Sequence, residues 1–221
     1  MKKHLFLIAA LIVATFTANA QISKGNQAIG LSFSGGSNSI KNQTGNENED
    51  GKNKNAAISF DYSYFVADKT AIGAFLGFTH SDANSISNGD DVLDSKGDSY
   101  AFGVFGKKYF MISDKFGGLG QLSLSGSDFK SESTNIVADV SSKFKSWALG
   151  TGVNAGFVFF PWKRLGIETS LNVFNLSYNE STTTHSSGVI TKGSGYNLSS
   201  SFTQSFEDIK FTLRYHFGFK K

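Results

Sequence analysis

The chain contains no cysteine, and beyond residue 20 it has no long apolar run and no excess of charge of one sign. Each absence removes a class of protein. Without cysteine, an exported chain has no disulfide framework, no thiolate chemistry and no lipid anchor on a cysteine after cleavage, so a closed hydrogen-bonded structure must supply its stability. Without a second apolar run there is no candidate transmembrane helix, which needs about 20 consecutive apolar residues. The formal net charge is +3, and Lys2 and Lys3 supply two of those charges. The rest of the chain is therefore nearly balanced, and nothing in it suggests a nucleic-acid partner.

Residues 1–20, MKKHLFLIAALIVATFTANA, begin with two lysines, continue with an apolar run from Leu5 to Ala14, and end on small residues at Ala18 and Ala20. This is the pattern of a secretory signal peptide, with cleavage expected before Gln21. The remainder, residues 21–221, is expected to form one domain. What is abundant there is glycine and aromatic residues: the whole chain has 24 Gly, 22 Phe and seven Tyr, against a single Pro.

Apolar residues alternate with small or polar ones, which is the period of a strand. The stretch IKFTLRYHFGFKK, residues 209–221, places an apolar residue at every odd position up to Phe219. The same alternation appears around Ile29–Phe33, Ile58–Tyr64, Ile72–Phe78, Tyr100–Val104, Leu122–Leu124, Trp147–Phe159 and Leu165–Val173, which makes eight strands in all. In the seventh, the apolar phase jumps to Phe174, Leu176 and Tyr178, as a one-residue bulge near Val173 would produce. The connections alternate between short ones, at Ala67–Lys69, Ile112–Lys115 and Pro161–Arg164, and long polar ones over 38–54, 82–97, 128–143 and 179–206. Short turns thus gather at one end and long loops at the other.

A soluble barrel would hide its apolar face and dress the other with charge. Here the second face is mostly Gly, Ser and Ala, which suits the narrow lumen of an eight-stranded barrel better than contact with water. Aromatic pairs stand before every short turn, Tyr64-Phe65, Tyr109-Phe110 and Phe159-Phe160, and Tyr215, Phe217 and Phe219 stand before the terminal lysines. They are expected to form a girdle at a membrane interface. The fold expected is an all-β, eight-stranded, antiparallel up-and-down transmembrane barrel, with its oily face in lipid and every backbone polar group paired by closure.

The units SYFVADKTAIGAFLGF (63–78), GKKYFMISDKF (106–116) and GFVFFPWKRLGIETSL (156–171) carry a resemblance. They are similar to the strand, aromatic pair, short turn and strand of small outer-membrane beta-barrel domain proteins of Bacteroidota, relatives of the OmpA, OmpX and OmpW type. The resemblance implies an outer-membrane location. It also implies contact with outer-membrane lipid and lipopolysaccharide, and with the barrel-insertion machinery. The role it implies is non-enzymatic: envelope integrity, or surface interaction through four long extracellular loops with a partner the sequence does not name. The alternatives are a narrow OmpW-like channel for small or apolar solutes and, more remotely, a lipid A hydrolase.

For the hydrolase, the candidates are Thr79-His80-Ser81 and His185-Ser186-Ser187, since a neutral imidazole beside a serine is what nucleophilic catalysis needs. Serine and threonine are common throughout these loops, so the pairing carries little weight. The glycines of Gly150–Gly156 share one strand face and have no helix after them, so packing clearance explains them better than a nucleotide loop. Asp90, Asp91, Asp94 and Asp98 lack calcium-loop spacing and read as a solvated acidic loop. His216 is expected to fill the lumen as a hydrogen-bonded side chain. No cofactor or metal is expected. Asp61, Lys107, Glu168 and Arg214 stand at similar depth on the small-residue face, about five or six residues up from the short-turn end at ~3.3 Å each. They are expected to form a lumen network, with Glu168 and Arg214 as its direct pair.

Overall fold

The computed structural model describes residues 22–44, 47–87, 90–136, 140–200 and 210–218; the expected signal peptide lies outside them. Among the described residues, nine antiparallel strands form one sheet. They are β1 (Gln27–Thr44), β2 (Glu47–Ala67), β3 (Thr70–Ser87), β4 (Asp90–Met111), β5 (Phe116–Asn135), β6 (Val140–Trp162), β7 (Leu165–His185), β8 (Ile190–Ser200) and β9 (Lys210–Phe217). Neighbours in sequence pair from β1 through β7, β9 pairs with the lower part of β7, and β9 returns to β1 over Gln27–Phe33, which closes the sheet into a barrel. β8 lies on the upper part of β7, against Phe174–Thr184. The ring of eight strands is thus closed by β9 alone, and β8 extends the free edge of β7 above it.

The alternation of side chains decides which face is which. Along the lower half of the strands the apolar face is outside: Leu76 is 65% exposed and Phe102 61%. Facing inward at the same height are Ser32, Asp61, Ser63, Lys107, Glu168, Thr212 and Arg214, all buried. A water-soluble protein places these two groups the other way round. An apolar exterior around a polar, side-chain-filled interior is the arrangement a lipid solvent selects.

The seventh strand contains the expected bulge. Val153 faces Phe174 and Asn154 faces Asn172, so Val173 is the extra residue. Its effect is to re-aim the strand. Asn172 below the bulge and Asn175 above it both line the lumen, although they are three residues apart.

The long loops need correction. Among the described residues they are continuations of the ladders, paired to Thr44 with Glu47, Ser87 with Asp90, Asn135 with Val140, and Thr184 with Ile190; the last part of the fourth, 201–206, lies outside the described residues. Strands β1 to β7 run to between 18 and 23 residues, where a tilted membrane strand needs about 9–11. The upper half of each therefore stands clear of the apolar band as an arm of a continuing sheet, in which neighbouring hairpins stay paired, Glu49 with Ser87, Leu93 with Asn135 and Ser142 with His185. Both faces of an arm meet water, so no apolar alternation marks it in the sequence. The connections at the other end are short as expected, with tight turns at Asp68-Lys69 and Lys163-Arg164 and a four-residue bend at Ile112–Lys115. Lys69 takes a positive φ of 60°, beside a register shift of the ladder between Phe65 and Ala67.

Candidate functional site

The lower lumen is crossed by one layer of charge. Arg214, on β9, grips Asp61 with two nitrogens, Nη1 donating to Oδ1 at 2.6 Å and Nη2 to Oδ2 at 3.2 Å. Its Nε donates to Glu168 Oε1 at 2.8 Å, and Nη1 also reaches Ser63 Oγ at 3.2 Å. Lys107 Nζ donates to Glu168 Oε2 at 2.7 Å, and the Tyr109 hydroxyl donates to Oε1 at 2.6 Å. The four residues singled out by depth in the sequence are all within this layer. Two acids and two bases satisfy one another with every carboxylate oxygen engaged, which is the condition for keeping charge buried.

Two parts of the layer were not visible in the sequence. Asp61 and Arg214 stand on strands separated by β1, where Gly30 is the residue opposite both. A Cβ at Gly30 would run into the Asp61 carboxylate, so the bidentate pair forms only because that position carries no side chain. Tyr109, assigned to the membrane girdle, instead points inward.

That assignment fails in the same way for one member of each aromatic pair. Phe65, Tyr109 and Phe160 are buried in the lumen, whereas Tyr64 and Phe110 are exposed on the outside. Adjacent residues on a strand point to opposite faces, so each pair contributes one ring to the girdle and one to the interior. The inward rings pack with Ala28, Ala71, Leu119 and Val158 into a stopper at the short-turn end. His216 sits between Phe65, at 5.7 Å between ring centroids, and Phe160, at 5.4 Å. It faces the lumen as expected, but neither ring nitrogen has a hydrogen-bond partner among the described residues. Its role is that of a flat packing element in an aromatic stack.

The other candidates disperse. His80 Nδ1 lies 2.7 Å from Asp98 Oδ1 and its Nε2 3.4 Å from Asp82 Oδ1, so both nitrogens face acids. Ser81 points to the opposite face and donates to the Gly97 carbonyl. The backbone N–H of His185 closes the β7–β8 turn by donating to the Val189 carbonyl. Gly150–Gly156 lies wholly within β6, and a Cβ at Gly156 would strike the Thr169 carbonyl oxygen, so clearance accounts for that glycine. In the acidic stretch Asp94 pairs with Lys96 at 3.4 Å and Asp98 with His80, while only the backbone of Asp90 and Asp91 is described. No group of three or more potential metal ligands occurs among the described residues.

A closed antiparallel sheet with apolar side chains outward and a charge layer inward defines an outer-membrane β-barrel. The sequence matches the autotransporter beta-domain family over residues 29–198, and the chain belongs to that family. Its location is the outer membrane. The fold is similar to that of OprG, an outer membrane protein of Pseudomonas aeruginosa, with 11% identity and a TM-score of 0.52, covering 92% of this chain and 100% of that one. It is similar also to a major outer membrane protein of Thermus thermophilus, with 11% identity and a TM-score of 0.50, covering 87% of this chain and 99% of that one. At these identities the likeness is one of fold. No curated protein matches the sequence.

Proposed function

We propose that this barrel is a non-enzymatic envelope protein that anchors in the outer membrane and holds its hairpin arms outside the cell for contact with the surroundings. The observation that carries this reading is the filled lumen. The charge layer and the aromatic stopper succeed one another along the same axis, and nothing but side-chain rearrangement would open a path through them. Rigid walls below and long polar arms above suit a protein that works at its outer surface. The attribution to the small barrels of Bacteroidota rests on the repeated strand, aromatic pair and turn units and on Gln21 following Ala20.

Lipopolysaccharide and other phosphorylated lipid are its proposed surroundings. On the outer face, Trp147, Tyr178 and Tyr196 form a touching aromatic row with centroids 5.9 and 5.0 Å apart. Trp147 shares its row with Asp128 and Glu180, and in the same-face row above that one Lys130 faces Lys145, Lys145 faces Thr182, and Thr182 faces Lys192. Amphipathic rings at headgroup level with cations just above them match the order of layers in an anionic leaflet.

Planar-bilayer recording of the purified protein tests the reading against the channel alternative. The expected outcome is no steady current. A sustained ohmic conductance would overturn the proposal in favour of a narrow channel. Comparison of lipid A acylation in cells with and without the protein tests the hydrolase alternative, and unchanged acylation is expected.

A further inference from the structure

We propose that the inward face of the extracellular arms is a binding surface for a neutral saccharide, with the Phe129 ring as its stacking platform. The observation behind it is a complete sorting of charge. In the described strands β2 to β8, over residues 52–59, 77–84, 94–101, 127–134, 141–148, 179–184 and 190–195, every lysine, aspartate and glutamate falls in the outward phase. The inward phase holds only serine, threonine, asparagine, glycine and alanine, together with Phe129 and Phe144. Lys54, Asp82, Lys96, Glu132 and Lys143 follow one another, alternating in sign, along one outward row. The inward row beside it runs Asn55, Ser81, Gly97, Ser131, Phe144 and Thr183. Narrowness does not account for the sorting, because the bore that admits Lys107 and Arg214 lower down has room for charged side chains. Hydration does not account for it either, since a face that only meets water accepts charge freely. A face with hydroxyls, amides and aromatic rings but no charge is matched to a ligand that is itself polar and uncharged.

The two rings give the surface its shape. Phe129 and Phe144 are half-buried and meet edge to face, with centroids 5.9 Å apart and planes at 61°. The Phe129 ring reaches over Gly97 of β4, where a Cβ would stand 2.7 Å from its Cζ. Glycine at 97 therefore lets the ring lie along the wall, with one face left toward the bore. Ser99 and Ser146 stand directly opposite Phe129 on the neighbouring strands, and Ser127 and Ser131 precede and follow it on the same face. Each hydroxyl can donate and accept. A pyranose has the complementary construction, with C–H bonds on one face to meet the negative face of an aromatic ring and hydroxyls around its edge. A charged ligand finds no counter-ion on this face, and a purely apolar one strips water from the hydroxyls without replacing it. The site is built from β4 to β7, which are continuous through these rows. Gly193, in the row of Phe129, lies about 20 Å up β8 from Ser199 at ~3.3 Å per residue, so the platform stands well above the level at which β8 ends.

The test uses the mature chain refolded in micelles of a detergent without a sugar headgroup, labelled on its phenylalanine and tryptophan rings and titrated by NMR. The probes are the neutral hexasaccharides of glucose, mannose, galactose and N-acetylglucosamine, with hexagalacturonate as the charged counterpart. At least one neutral probe is expected to shift the Phe129 ring signals saturably while leaving the Trp147 indole, on the outward face, unmoved. Phe129→Leu keeps apolar bulk over Gly97 but removes the flat face, and is expected to weaken binding at least tenfold. Lys96→Gln, beside Gly97 in the outward phase, is expected to leave it unchanged. Should Phe129→Leu fail to refold, Phe144→Leu serves in its place, and is expected to weaken binding by releasing the platform from its edge contact. Failure of all four neutral probes to saturate, binding of hexagalacturonate as tight as theirs, a response of Trp147 in place of Phe129, or undiminished binding by the ring variant would overturn the proposal. The inference rests on the reading of the arms as the outer working surface, and a barrel that binds no saccharide yet passes no current in the bilayer leaves that reading standing.

Discussion

Glu168 is the residue on which the charge layer depends, because it accepts from Lys107, Tyr109 and Arg214 at once. Glu168→Gln leaves two buried cations facing a neutral amide, and removing one partner of such a buried pair typically costs about 3–5 kcal/mol. Arg214→Gln strands two carboxylates and is expected to cost a similar amount. The double variant is expected to lose clearly less than the sum when refolding is followed against urea in detergent, and strict additivity would show that the two act independently. In the arms, the hydrogen bond between His80 and the Asp98 carboxylate, helped by Asp82, holds the His80 pKa above the ordinary histidine value. A raised folded pKa means that the contribution of this contact is complete below the unfolded pKa and is lost as pH rises through the folded one. An NMR titration of the His80 ring should show the raised midpoint, and Asp98→Asn should bring it down. At this scale the sequence was partly legible. Depth counted from the turns is a one-dimensional quantity, so it found Asp61, Lys107, Glu168 and Arg214. It could not reveal Gly30, whose contribution is the absence of an atom between two strands, nor the inward turn of Tyr109, which depends on which of two adjacent rings falls in the inward phase.

At the scale of the strand, the alternation marked only what the lipid requires. Phe211 and Leu213 on β9 face outward, with Thr212 and Arg214 facing inward between and beyond them. Leu213→Arg is therefore expected to destabilise the refolded barrel by about 2–4 kcal/mol if it lies near the midplane, with less at the interface. Equal stability of this variant in lipid vesicles would contradict an outward Leu213. The jump of phase after Val173 was legible because the bulge occurs inside the apolar band, where one extra residue visibly moves every ring to the other parity. The arms were not legible as strands. Over Glu47–Asn55 the sequence is polar or small at both parities, so the ladder that pairs Lys52 with Asn84 leaves no periodic trace. β8 is hidden for the same reason, and its residues read as loop although Tyr178 and Tyr196 stack across the ladder.

For the molecule as a whole, the unequal ends fix an orientation, since outer-membrane barrels keep their short turns in the periplasm. Epitope tags at Asn135 and Gly188 are expected to be reached by antibody on intact cells, and a tag at Asp114 only after the outer membrane is breached. Labelling at Asp114 alone would invert the topology. The seam at which the ring closes has a further consequence. β1 and β9, from opposite ends of the chain, are joined by their ladder, by a 2.8 Å hydrogen bond between Ser32 and Thr212, and by Arg214 reaching over Gly30 to Asp61. This clasp has no partial form: until the last strand arrives, Asp61 and Glu168 lack their common counter-ion, and after it arrives the strand cannot peel away without drawing a guanidinium into hydrocarbon. Assembly is thereby given a definite final event and dissolution a high first step. The folded barrel is expected to survive cold dodecyl sulfate and to run as a distinct band on an unheated gel, and Gly30→Val should abolish that band at a lower temperature than the native chain requires.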